Sequence, residues 1–389
     1  MSERYLPVRP NLTQLKHQAK DLLREMKHAR PDAKLAEAQF ELARSYGVAS
    51  WPRLVLACRI VDAIWRDDVR AVRALVTKHP NLLHEMARGK QECNWGPPMS
   101  YAANLGRDRI IATLRELGAT DLTRAMDRAV LQGQIETARR LCAMGARPER
   151  GCVMGPCETQ SGEGLAYLIE LGAELCDRLG DRSAPLAMLL GTYCRNSQGK
   201  HDCLELLAAH GVALPDTPTM AIHRGRVDLL ELHLRADPDL LLRTFSLEEI
   251  YPECGDYDAN GNGLGIHGTP LEGTSLLHVC VDQDEPEMLV WLLEHGADAK
   301  AKASVDADGF GGHTSLFGCV VTAPGMRHNV SLAQLLLDHG ADPNARASLR
   351  KNGREYRDVT PISWATRFHD RDVVNEPAMR LIAERGGRG

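Results

Sequence analysis

The stretch Leu292-Leu293-Glu294-His295-Gly296-Ala297-Asp298 returns almost unchanged as Leu336-Leu337-Asp338-His339-Gly340-Ala341-Asp342. Looser copies occur at residues 114–119, 168–173 and 206–211. Paired leucines belong to the buried face of a helix, and a following glycine suits the left-handed backbone that closes a helix. Self-similarity at a spacing of tens of residues predicts stacked repeats in place of one globular core.

A second pattern precedes several copies. It consists of serine or threonine residues at the positions where the next helix is expected to begin. The segments are 273–277, 314–317 and 359–365. A serine or threonine hydroxyl at a helix start can accept a hydrogen bond from a free backbone N–H group. The predicted unit is therefore turn, helix, loop, helix and glycine.

These two phrases resemble the ankyrin repeat family, whose repeats read T-P-L-H-x-A near the start and L-L-x-x-G-A-D near the end. Residues 98–103 and 360–362 match the first half in part, whereas 292–298 and 336–342 match the second half closely. The resemblance covers residues 61–389 and implies an all-α solenoid of helix pairs with hairpin-like finger loops.

The spacing of the repeats departs from the family pattern. Gly296 and Gly340 are 44 residues apart, whereas about 33 residues is usual for an ankyrin repeat. We therefore expect insertions near 252–273, 304–313 and 348–358.

The first sixty residues have a different pattern and predict a helical cap at 1–60. Asn11 precedes a helix with apolar residues at helical spacing, and Ser50-Trp51-Pro52 opens another, with proline near a helix start. The segment resembles the helical leader found ahead of ankyrin arrays in some bacterial proteins. A solenoid needs a polar outer face at its end, so capping is the expected role.

Composition and charge exclude several classes of protein. The net charge of −5 and pI near 6.3 argue against a nucleic-acid partner, which normally requires a basic surface. No stretch has the ~20 apolar residues of a membrane span, and no secretory signal is visible. Eleven irregularly spaced cysteines without a C-x-x-C pair fit a reducing environment. We expect a cytoplasmic monomer.

The resemblance implies recognition of a partner protein or peptide on the concave face of the array. The candidate binding residues are Trp95, Tyr101, His278, Phe310 and Trp364. Trp95 lies in a glycine- and proline-rich loop, where an exposed aromatic ring anchors an interface. The alternative for Trp95 is packing between adjacent finger loops, and the alternative for His278 is a packing position in a helix.

The first insertion partly matches a calcium-binding loop. Asp256, Asp258, Asn260 and Gly261 fit its positions 1, 3, 5 and 6. Position 12, which requires a bidentate glutamate, is His267. A calcium loop is therefore not expected, and turn chemistry in a surface insertion accounts for the composition.

The second insertion repeats the combination of aspartates and a histidine before a repeat start, at Asp306, Asp308 and His313. An alternative function follows if the insertions converge, since carboxylates and histidines perform acid–base chemistry or bind a divalent metal. That alternative is a hydrolase with His267, His313 and Asp308 as catalytic residues. Its metal ligands would be Asp256, Asp258 and Asp306. No cofactor is expected for the recognition function.

Overall fold

The computed structural model describes residues 4–89, 94–252, 267–323 and 326–389. The chain divides into two compact units, Met1–Gly155 with Leu171–Ala173 and Pro156–Glu170 with Glu174–Gly389. The helices of the first unit are α1 (Leu12–Ala29), α2 (Leu35–Ser45), α3 (Trp51–Trp65), α4 (Val69–Lys78), α5 (Pro98–Ala103), α6 (Asp108–Glu116), α7 (Leu122–Leu131) and α8 (Ile135–Ala143). A 3-10 turn (Pro80–Leu83) follows α4, and the short α9 (Met154–Glu158) contains the boundary between the units.

The second unit continues the helical pattern. Its helices are α10 (Gly162–Glu170), α11 (Ala184–Gly191), α12 (Ser197–Ala209), α13 (Pro218–His223), α14 (Val227–Ala236), α15 (Leu247–Ile250), α16 (Leu276–Gln283), α17 (Pro286–Glu294), α18 (Leu316–Val320), α19 (Ser331–Asp338), α20 (Pro361–Arg367) and α21 (Glu376–Glu384). It also holds two strands, β1 (Ala347–Lys351) and β2 (Arg354–Val359), and 3-10 turns at Leu240–Leu242 and Arg371–Val373. The expected all-α class is confirmed, with one β-hairpin added.

Helix stacking within each unit follows the repeat pattern. In the first unit α3, α5 and α7 pack in succession. In the second unit the first helices of successive pairs stack as α13, α16, α18 and α20, and the second helices stack as α17, α19 and α21. Each pair buries its apolar face against its neighbours, which is how a repeat array builds a core along one axis.

The N-terminal helices begin where the sequence predicts. The Asn11 side chain accepts the Gln14 N–H at 3.1 Å, and the Ser50 hydroxyl accepts the Arg53 N–H at 3.3 Å. Their apolar faces meet around buried Leu15, Leu42 and Leu54. The boundary expected at residue 60 falls inside α3, which packs against α4 and α5 as well as against α1 and α2.

The two close copies of the repeat phrase fold identically. Gly296 and Gly340 have φ of +96° and +85°, and the alanine after each donates its N–H to the first leucine carbonyl at 3.0 and 2.9 Å. An added Cβ would meet no atom within 4 Å at either glycine. The backbone angle therefore selects glycine here, as expected for a helix C-terminus.

The hydroxyl groups before the helices behave differently from one another. Thr360 caps α20 by accepting the Ser363 N–H at 3.2 Å. Ser275 and Ser315 make no side-chain capping bond. The Ser275 hydroxyl donates to His278 Nδ1 at 2.9 Å.

Two further properties concern the whole described chain. Among the described helices, none combines the length and apolar character that crossing a membrane requires. None of the nine cysteines in the described ranges forms a disulfide bond, and most of them are buried.

Candidate functional site: a cleft beside the 304–313 loop

A cleft of about 610 Å³ lies in the second unit. Four segments of chain line it, at 244–246, 270–273, 304–313 and 349–350. Three of them belong to predicted insertions, at 252–273, 304–313 and 348–358, and the last of these three is part of β1. A concave site built by loops on a rigid helical frame is a typical position for ligand recognition.

The 304–313 loop is held in a tight turn by Asp306. One oxygen of Asp306, Oδ1, accepts the N–H groups of Asp308 and Phe310 at 2.9 and 2.8 Å. The loop then joins the hairpin, because Gly311 donates its N–H to the Ser348 carbonyl at 2.6 Å and accepts the Ser348 N–H at 3.3 Å.

Gly311 is required by this arrangement. Its φ is +119°, and an added Cβ would lie only 1.9 Å from the Ser304 carbonyl oxygen. We expect Gly311→Ala to lower the free energy of unfolding by at least ~2 kcal/mol, from backbone strain and displacement of the Ser304 segment. Urea denaturation followed by circular dichroism measures the change.

Gly309→Ala is the matched control for that substitution. Gly309 has φ +82° in the same loop, but an added Cβ would meet nothing within 4 Å. We expect Gly309→Ala to lower the free energy of unfolding by about 1–2 kcal/mol, from the left-handed conformation alone. Equal losses for the two variants would contradict a role for the close approach at Ser304.

Phe310 forms part of the cleft wall and is 5% exposed. Arg350 and Arg357 lie over its ring, with guanidinium carbons 3.8 and 4.2 Å from the ring centre. Arg350 also bonds Asp308 Oδ2 at 2.8 Å and lies 3.3 Å from Asp306 Oδ2. Its Nε lies 3.5 Å from Glu355 Oε1. A planar guanidinium is thus held by three carboxylates and an aromatic face, a combination that suits arginine and not lysine.

His313 closes another part of the wall. Its Nε2–H donates to the Pro270 carbonyl at 2.9 Å; since a carbonyl only accepts, the proton is on Nε2 and Nδ1 is an acceptor. That Nδ1 is buried and has no hydrogen-bond partner within the described ranges. Burial, together with neighbouring His278, lowers the pKa of His313 to about 3.

His278 is a packing residue and does not line the cleft. It is 2% exposed, and its Nε2–H donates to the His313 carbonyl at 3.1 Å. Its ring meets the edge of the His313 ring at 5.3 Å. Burial lowers the pKa of His278 to about 4, so the imidazole is neutral at pH 7. The structure favours the packing alternative for this residue.

Two of the other aromatic candidates lie inside the protein. Tyr101 is fully buried, and its hydroxyl donates to the Val8 carbonyl at 2.5 Å. Trp364 is fully buried between Tyr356 and Phe368. A ligand contact requires a ring at the surface, and both of these rings are covered by the surrounding protein. Their assignment as binding residues therefore does not fit the structure.

Trp95 is half-buried, with its ring centre 4.8 Å from that of Tyr101. This contact belongs to the packing alternative. A binding role for Trp95 stays a prediction.

The residues of the hydrolase alternative are divided between two places. Asp308 and His313 line the cleft, whereas His267 is 5% exposed and bonds Asp282 through Nδ1 at 3.0 Å. His267 Nδ1 is thus hydrogen-bonded to the buried carboxylate of Asp282. His267 is therefore not among the residues that line the cleft, and its convergence with the 304–313 loop stays a prediction.

Of the three metal candidates, only Asp306 lies within the described residues. Asp256 and Asp258 lie outside the described residues. Asp306 uses one oxygen for the loop turn and the other for Arg350. Across the described ranges, no three His, Cys, Asp or Glu side chains are grouped in a way that could hold a metal ion.

A buried ionic network lies elsewhere in the second unit, and sequence reasoning missed it. Asp282, at the end of α16, pairs with Arg195 through Oδ2 at 3.1 Å, and both side chains are almost fully buried. Burial opposes ionisation of Asp282. The opposite charges around it, with hydrogen bonds from His267 and Gln283, nevertheless hold the pKa of its carboxyl well below the usual range.

A second ion pair extends the network. Lys200 and Glu285 are both buried, with Nζ 2.9 Å from Oε1, and His201 Nε2 lies 3.0 Å from the same carboxylate. Tyr251 donates its hydroxyl to Asp282 Oδ2 at 3.1 Å. The network thus connects α12 and the C-terminal end of α15 to the C-terminal end of α16 through buried polar and charged side chains.

One signal could have located the acidic half of this network. All eight residues of α16 are buried, and apart from His278 the residues before Asp282 are apolar. A carboxylate in a helix that is apolar all round must be buried and must find a cation. Nothing local indicates that Arg195, 87 residues earlier, supplies that cation.

No family model and no curated relative match this chain. Among solved structures, it is similar to the human ASB11 ankyrin repeat domain, with 17% sequence identity, 75% of this chain and 99% of that chain covered, and a TM-score of 0.28. A likeness at this level carries no argument about function. The repeat architecture is established by the helix stacking and by the two identically folded copies of the repeat phrase.

Proposed function

We propose that this chain is a recognition protein that binds a peptide segment of a partner protein in the cleft beside the 304–313 loop. The observation that carries the proposal is the cleft itself, at about 610 Å³, lined by loops from four segments. Its lining includes the aromatic residues Phe245 and Phe310 together with charged groups. Peptide recognition generally needs apolar pockets for anchoring and a few polar groups for specificity.

The rigidity of the surrounding frame supports the same role. The loop is fixed by the Asp306 turn and by backbone bonds to the hairpin, and the hairpin packs against α20. A preformed site loses less conformational entropy on binding than a flexible loop does. By the resemblance to ankyrin repeats, such loops border the concave face. No geometry within the described residues favours a hydrolytic reaction, so none is proposed.

Selection of random displayed peptides on the purified full chain tests this function. We expect enrichment of related sequences that bind with Kd values of about 1–100 μM, as short peptides in small pockets typically do. Asp308→Asn and Glu272→Gln should weaken that binding, since both carboxylates line the cleft. Fluorescence polarisation with the enriched peptides gives the Kd values.

The matched control is Glu294→Gln, an exposed carboxylate on α17 outside the cleft, which should leave binding unchanged. Enriched peptides that bind equally well to all the variants would place recognition elsewhere on the chain. Absence of any enrichment would contradict the proposed function.

A further inference from the structure

We propose that the cleft recognises an arginine side chain of the partner, at the position that Arg350 occupies in the free protein. The inference rests on the proposed function and names the chemistry of its ligand. Arg350 then acts as an internal competitor, which the partner's arginine displaces.

The first support is the geometry around Arg350. Asp308 Oδ2 accepts its Nη2–H at 2.8 Å, Asp306 Oδ2 lies 3.3 Å from Nη1, and the Phe310 ring lies 3.8 Å below the guanidinium carbon. Two carboxylates above an aromatic face match the planar donors and the delocalised charge of a guanidinium. Since one arginine is already held here, a second arginine is chemically equivalent.

The second support is independent of that cluster. His313 lines the cleft and is 1% exposed, and its Nδ1 lone pair receives no hydrogen bond from any described residue. A buried acceptor without a partner is unfavourable, and a ligand that donates removes the cost. A guanidinium carries five N–H donors and no acceptor, so it is a ligand of the donor type that such a nitrogen lacks.

The charges of the wall agree with a cationic ligand. The cleft is lined by three carboxylates, Glu272, Asp306 and Asp308, and by one guanidinium, that of Arg350. The formal charge of these four groups is therefore −2. Arg357, on the same Phe310 ring, is compensated by Glu355 at 3.1 Å.

Arg350 is suited to leave its position. Its side chain is 32% exposed and that of Asp308 is 68% exposed, so water screens their attraction. The hairpin stays attached without it, because the backbone bonds between Gly311 and Ser348 do not involve the Arg350 side chain. Displacement therefore requires rotation of one side chain and no unfolding of the strand.

Ligand-observed NMR on the full chain tests the proposal, with Nα-acetyl-arginine amide as the probe. The neutral isostere Nα-acetyl-citrulline amide and the lysine analogue are the comparison probes. We expect the arginine probe to bind the unsubstituted chain, and to bind Arg350→Ala about fivefold more tightly, which is the effect of removing an exposed ion-pair competitor. Asp308→Asn should abolish the signal, and the two comparison probes should bind at least several-fold more weakly.

Arg346→Ala is the matched control. Arg346 precedes β1 and pairs with Asp358 within the hairpin, away from the cleft. The proposal is overturned if Arg350→Ala binds the probe no better than Arg346→Ala, if citrulline binds as well as arginine, or if no variant binds the probe. Displayed peptides that bind the cleft without any arginine would leave the recognition function intact and refute only this inference.

Discussion

Replacement of Asp282 by asparagine is expected to lower the free energy of unfolding by about 3–5 kcal/mol, because it removes the negative charge of a buried ion pair with Arg195. The two side chains are 4% and 1% exposed, so water cannot substitute for the lost carboxylate. The Arg195 side chain also donates to the carbonyls of Thr192, Cys194 and Asp282. These bonds hold the guanidinium in place and prevent it from escaping to solvent.

Chemical denaturation of the full chain, with hydrogen exchange of the α16 amides as a local probe, measures this loss. Asp308→Asn is the matched control, since the same substitution there breaks an exposed pair with Arg350. Its expected effect is below about 1 kcal/mol. Similar small losses for the two variants would show that the interior pair contributes little net ionic stabilisation.

The repeat architecture was predictable because its determinants are local. The glycine after each helix is selected by its own backbone angle, and Asp298 and Asp342 each accept the N–H two residues later at 2.9 Å. Such preferences act within a few residues, so they are readable as a sequence pattern. The helix starts at Asn11, Ser50 and Thr360 follow the same logic.

The hairpin was predictable in principle but was treated only as an insertion near 348–358. Asn352 and Gly353 connect β1 to β2 with φ of +52° and +69°, and Lys351 pairs with Arg354. Asn-Gly between two strand-forming segments is a strong signal for a two-residue hairpin. The bulge between Ala347 and Leu349 has no comparably clear sequence signal.

The candidate site was predicted in part. The 304–313 loop was singled out, and its Asp306, Asp308, Phe310 and His313 do meet at one cleft. Arg350, which the structure brings to the same cleft, lies about 40 residues along the chain, where no local pattern indicates its partner. The same limit applies to the interior pairs, because long-range ion pairs are set by packing and not by spacing.

Acidification is expected to destabilise the second unit steeply, through four buried histidines, His223, His267, His278 and His313. Burial lowers the pKa of His223 to about 3, of His278 to about 4 and of His313 to about 3. In the unfolded chain each has a pKa of about 6.5. The folded state therefore keeps these imidazoles neutral at a pH where the unfolded state binds protons.

The sign and size of the effect follow from proton linkage. Below pH ~6.5 the unfolded state binds more protons, so the free energy of unfolding falls as the pH falls, until the folded-state pKa values near 3–4 are reached. His223, His278 and His313 each contribute about 1.4 kcal/mol between pH 7.5 and 5.5, or about 4 kcal/mol together. His267, whose pKa burial also lowers, adds to this effect. Asp282 acts in a separate window, because its lowered pKa removes stability only as pH falls below ~4.

Urea denaturation at closely spaced pH values between 7.5 and 5.5 measures this slope. His223→Gln should reduce the slope by about a quarter to a third, since a glutamine amide can replace the Nε2–H bond to the Ile250 carbonyl without titrating. Gly309→Ala is the control, because it should lower the free energy of unfolding by the same amount at every pH. The slope of that free energy against pH should then stay unchanged. A stability that stays level across this range would mean that protons reach these imidazoles in the folded state, which their hydrogen bonds to backbone carbonyls and their burial argue against.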